Sequence, residues 1–97
     1  MIRERALPLS REGAEDLAIR ALAFLAEEPE ELGRFLALAG LGPETLRSAA
    51  SDPAFLTGVL EYFLESEPLM LVFCARENVR PTLFAAARYL LDGGADA

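Results

Sequence analysis

Apolar residues recur along this chain at helical intervals, and prolines punctuate them. From Ala14 the apolar positions fall at 14, 17, 18, 21, 22 and 25, one face of an α-helix, and Ile19, Ala23 and Phe24 widen that face. Ser10 stands where an N-cap belongs, with Glu12, Glu15 and Asp16 near the positive end of the helix dipole. Pro29 disfavours helix at Glu28 and then serves as the first residue of a second helix, whose apolar stripe is Leu32, Phe35, Leu36 and Ala39. Gly40-Leu41-Gly42 stops that helix, one glycine acting as a left-handed cap. Pro43 opens a third, shorter helix to about Ser51, turning Leu46, Ala49 and Ala50 inward.

The stretch from Asp52 to Glu77 carries most of the large apolar residues of the second half. Asp52-Pro53 is an N-cap followed by proline, and Phe55, Leu56, Val59, Leu60, Phe63 and Leu64 then repeat at helical spacing, with Glu61 and Glu65 on the other side. After Glu67-Pro68 the run Leu69-Met70-Leu71-Val72-Phe73-Cys74 is apolar all round, which periodicity alone leaves open between a buried helix and a buried strand. No second strand is on offer to pair with it, so a helix is expected, ending at Asn78. Because the segment reads as core, Leu71→Asp is expected to unfold the domain. Arg80-Pro81 begins a sixth helix with Leu83, Ala86, Ala87, Leu90 and Leu91 on one face, closed by Asp92-Gly93-Gly94. The expected fold class is all-α, a small orthogonal bundle of five or six short helices. It occupies residues 10–92, between a flexible arm at 1–9 and a disordered tail at 93–97.

Length and composition narrow the function. Ninety-seven residues make one domain, and 53% apolar content supplies a core with some surplus. Sixteen acids face nine bases, all arginine, for a net charge of −7. That balance repels phosphate backbones and anionic headgroups, so nucleic acid and membrane surfaces are disfavoured partners. The longest uninterrupted apolar run, Leu69 to Ala75, is far short of the roughly 20 residues of a membrane span. The N-terminal Met-Ile-Arg-Glu-Arg-Ala-Leu-Pro has no signal-peptide core. A single cysteine forms no internal disulfide, so a reduced, cytoplasmic protein is the expectation.

Several motifs carry a family likeness. Phe35-Leu36-Ala37-Leu38-Ala39-Gly40-Leu41-Gly42-Pro43-Glu44-Thr45-Leu46-Arg47, Asp52-Pro53-Ala54-Phe55-Leu56-Thr57-Gly58-Val59-Leu60 and Glu67-Pro68-Leu69 resemble a family of small alphaproteobacterial proteins catalogued as a domain of unknown function, DUF3572. The likeness spans roughly residues 14–92. It implies an all-helical bacterial cytoplasmic protein and brings no catalytic or binding residue with it.

Chemistry is sparse. Without histidine, Cys-His and Ser-His-Asp arrangements are impossible, and Cys74 sits in the most apolar segment, where a thiol is inert. Glu61, Glu65 and Glu67, and the cluster of Glu27, Glu28, Glu30 and Glu31, lack the spacing of a calcium loop and read as solvated faces and helix starts. No catalytic residue, metal ligand or cofactor is expected, and the chain reads as a non-enzyme. Residues 30–51 have the lengths of a helix–turn–helix, with Thr45, Arg47 and Ser48 toward a groove; Glu44 and the acidic balance oppose DNA. The apolar surplus among Phe24, Leu25, Phe35, Leu38, Phe55, Tyr62, Phe73, Phe84 and Tyr89 either fills one core or leaves a groove or a dimer surface. An acid-rimmed apolar groove suits a basic amphipathic helix. The primary expectation is therefore a protein–protein interaction module with an unknown protein partner, or a second copy of the chain. The alternative is a transcription-associated DNA-binding protein. The candidate interaction surface is Glu27, Glu28, Glu30, Glu31, Arg34, Glu44 and Arg47.

Overall fold

A computed structural model describes residues 9–93. Among them the chain forms six α-helices: α1 (Arg11–Ala26), α2 (Pro29–Ala39), α3 (Leu46–Ala49), α4 (Pro53–Leu64), α5 (Glu67–Glu77) and α6 (Thr82–Leu91). A 3-10 turn, Pro43–Thr45, leads into α3. The fold is an all-α bundle, as the periodicity predicts. The expected arm and tail lie outside the described residues, apart from Leu9, which packs half-buried against the core, and Gly93.

The helix ends are where the sequence puts them. Ser10 accepts a hydrogen bond from the Gly13 N–H at 2.9 Å, and Asp52 accepts one from the Ala54 N–H at 3.0 Å, each satisfying a donor that its helix leaves open. Gly40 takes the left-handed conformation, with φ of 74°, after α2. There the Leu41 N–H reaches back to the Leu36 carbonyl at 3.0 Å and the Gly40 N–H to Ala37 at 3.2 Å, a Schellman closure. Asn78 plays the same part after α5, at φ of 59°, with the Val79 N–H on the Cys74 carbonyl. Asparagine is one of the few side chains that tolerate this conformation.

Three helices make the centre. α1 packs along α6 and α4, and α4 along α6; α2 leans on α1 and α4, and α5 chiefly on α4. All of Ala14, Leu17, Ala18, Ala21, Leu22 and Leu25 are buried, as are Phe55, Leu56, Val59, Leu60 and Phe63. Phe24, Phe63, Phe73 and Phe84, one from each of α1, α4, α5 and α6, form a continuous aromatic cluster with ring centroids 5.4–6.1 Å apart. Among the described residues no polar or charged side chain is buried.

The structure corrects three expectations about faces. α5 is not buried all round: Met70, Phe73 and Cys74 turn inward, while Leu71 and Val72 are 47% and 58% exposed. Because α5 lies at the edge of the bundle, only one side of it has a neighbour to pack against. Ile19 and Ala23 are likewise exposed, and of the residues that widen the α1 face only Phe24 enters the core. The buried stripe of α6 is Phe84, Ala87 and Leu91, with Leu83 and Leu90 at its margins and Ala86 outside.

Candidate functional site

An open groove of about 530 Å³ lies between the C-terminal half of α2 and the exposed side of α4. Phe35 forms its floor. Its ring meets that of Phe55 at 5.5 Å and that of Tyr62 at 5.4 Å, both edge-on, the geometry that ring quadrupoles favour. Leu38 and Leu41 make one wall, and Ala54 and Gly58 the other. Leu38 is 74% exposed, an apolar side chain left in water beside other apolar surface. Gly58 has no packing reason to be glycine, since a Cβ built there meets nothing within 4 Å.

Carboxylates stand around this apolar floor. Asp52 and Glu65 are the two caps of α4, and both are exposed. Glu61 lies between them and accepts a hydrogen bond from Arg88 Nε at 2.9 Å. Beside the groove the Tyr62 hydroxyl donates to Glu31 Oε1 at 2.7 Å, and Arg34 donates to Glu31 Oε2 at 3.0 Å. Burial, and then the bond to the Glu31 carboxylate, raise the Tyr62 pKa above the ordinary phenol value, with the nearby Arg34 opposing.

The residues that the sequence nominates fall in three places. Glu27, Glu28 and Glu30 are exposed at the α1–α2 junction, where Arg76 of α5 donates to Glu27 at 2.6 Å and rests 5.2 Å above the Phe24 ring. Glu31 and Arg34 flank the groove through Tyr62. Glu44 and Arg47 border a separate shallow depression of about 480 Å³ with Leu22, Pro43, Leu46 and Ala50. The proposed reading helix of a helix–turn–helix takes the form of a 3-10 turn and a four-residue helix. That is shorter than the recognition helices that lie along a major groove. Cys74 is buried, and loss of water raises its pKa.

Among the described residues, no group of three or more acidic, cysteine or histidine side chains is placed to hold a metal ion, and no helix is long and apolar enough to cross a membrane. The family described as Protein of unknown function (DUF3572) matches residues 11–94, from the start of α1 to just past α6. The chain belongs to this family. No curated protein and no solved structure matches it with significance. The sequence counts Phe35, Leu38, Phe55 and Tyr62 among an apolar surplus that fills a core or leaves a groove, and reads Asp52 as a cap and Glu61 and Glu65 as a solvated face; it does not bring these residues together. A further signal is Gly58, a glycine inside an otherwise regular helical pattern, where it costs stability relative to alanine.

Proposed function

We propose that this DUF3572 protein is a non-enzymatic protein–protein interaction module that works through the α2–α4 groove. The observation that carries the reading is Leu38. It holds a large apolar side chain 74% exposed on a wall continuous with Phe35, Phe55 and Tyr62. Isolated surface leucines are ordinary, but one that extends an apolar concavity marks a contact surface. The groove is more open than enclosed, which fits a macromolecular surface better than the enclosure that buries a small ligand. The absence of histidine and the inward-facing Cys74 leave thiol and histidine-assisted nucleophilic roles without their usual groups.

The test is a photo-crosslinking amino acid placed at position 38 and, as a control, at Glu12 on α1, in the native cells. A discrete protein adduct formed from position 38 and not from position 12, and abolished by a second substitution in the groove, supports the reading. The same smear from both positions, or no adduct at 38, sinks it.

A further inference from the structure

We infer that the occupant of the α2–α4 groove is an amphipathic helix of a partner protein with basic residues toward both of its ends. This inference rests on the interaction-module reading and names the partner's chemistry. Three features carry it: the distribution of charge, the shape of the α4 wall, and the chain's own ionic bookkeeping.

Asp52 and Glu65 cap α4 at opposite ends, thirteen residues apart in number, so they stand about 20 Å from each other along the axis. Glu61 is tied to Arg88, whereas among the described residues Asp52 accepts only the Ala54 N–H and Glu65 meets no arginine, so neither end carboxylate has a side-chain counter-charge. A helix of about three and a half turns spans the same distance. With apolar residues at i, i+3 or i+4 and i+7, it sets one face on Phe35, Leu38, Leu41 and Phe55 while a lysine or arginine near each end meets a carboxylate.

The α4 wall is built for close approach. Ala54 and Gly58 lie four residues apart, hence one above the other, and nothing stands within 4 Å of the place where a Gly58 side chain would be. Glycine inside a helix weakens it, and here no neighbour in the fold demands it. A partner helix seated against α4 does: it brings its backbone into the space that a side chain at 58 would take.

A second copy of the chain fits less well. The net charge is −7, and Arg20, Arg34, Arg76 and Arg88 are already bonded to carboxylates of the same chain. Two such surfaces repel, and among the described residues the arginines outside ion pairs, Arg11, Arg47 and Arg80, stand on three separate parts of the chain rather than along one helix face.

The test is selection from a display library of helical peptides of about 14 residues, roughly four turns. Leucines are fixed along one face and the remaining positions are randomised without charge bias. The expected winners carry lysine or arginine toward both ends. Their affinity falls at least tenfold as salt is raised past physiological strength. It also falls at least tenfold on Gly58→Leu, on Leu38→Asp, and on the double change Asp52→Asn with Glu65→Gln. Asparagine still caps α4, so the double variant keeps its fold, and unchanged circular dichroism with melting no lower than that of the parent chain verifies the fold of every variant. Winners with acidic or neutral ends, winners indifferent to the charge-neutral variant, or an empty selection overturn the inference. So does sedimentation showing a groove-dependent dimer of the chain itself. If the selection fails while position 38 still crosslinks to one protein, the basic helix is wrong and the interaction module stands. If both fail, the groove is not a docking site.

Discussion

The hydroxyl of Tyr62 and the carboxylate of Glu31 meet at 2.7 Å across the boundary of α4 and α2, at the edge of the groove. The bond ties the peripheral helix to the central one at the point where the groove opens. Tyr62→Phe keeps the ring against Phe35 and removes only the hydroxyl. It should cost about 1–2 kcal/mol in chemical denaturation, as a bond to a charged acceptor does when half-buried. A loss below the precision of the measurement would mean that water replaces the bond without penalty.

The same pair sets a pH dependence. In the folded chain the Tyr62 phenol holds its proton above the ordinary value, because of burial and then of Glu31; burial acts in the same direction on the Cys74 thiol. The unfolded chain therefore releases these protons first as pH rises. Stability is full below the ordinary values of thiol and phenol and declines as pH climbs through them toward the folded values. Urea midpoints measured across the alkaline range should fall, and less steeply in Tyr62→Phe. Midpoints that rise with pH would reverse the assignment.

Phe63 is fully buried and touches the rings of Phe24, Tyr62, Phe73 and Phe84. Phe63→Ala should cost about 3–5 kcal/mol, a large share of a small domain's stability. At about 4–8 °C per kcal/mol for a domain of this size, the melting temperature should drop by more than 10 °C.

α5 offers a paired comparison. Leu71 is about half exposed and Phe73 is fully buried, two residues further along the same helix. Leu71→Asp should leave the fold intact, within about 1 kcal/mol, whereas Phe73→Asp should abolish the cooperative melt. Equal damage from both would mean that the exposed side of α5 is covered.

Gly58→Ala places a methyl in empty space within α4, so it should stabilise the chain by roughly 0.5–1 kcal/mol. The opposite sign would show that the backbone there needs glycine.

How far the sequence could be read depended on whether one residue had one job. The period of the α1 stripe from Ala14 to Leu25 names its six central buried positions, while Ile19 and Ala23, apolar on the far side, are settled only by the packing. The caps Ser10 and Asp52 and the stops Gly40 and Asn78 act on adjacent backbone, and they too are legible locally. In α5 the run from Leu69 to Cys74 has no polar side, so its period is silent on orientation; the place of α5 at the bundle's edge decides it. The groove was the hardest to see. It joins residues 35–41 to residues 52–65: the sequence marks Phe35, Leu38, Phe55 and Tyr62 as apolar surplus, and only the packing of α2 on α4 puts them on one surface with Asp52 and Glu65. The nominated surface reached only its margin, through Glu31 and Arg34, and placed Glu44 and Arg47 at a different depression.

The ring cluster bears on how the molecule comes apart. α5 leans mainly on α4, which by itself would let it fray like a terminal segment. Phe73, however, is inserted among Phe24, Phe63 and Phe84, which belong to three other helices. Peeling α5 away therefore strips contacts from all of them at once. Its amide protons should exchange with solvent through the same global opening that releases those of α4, making the edge helix part of one cooperative unit.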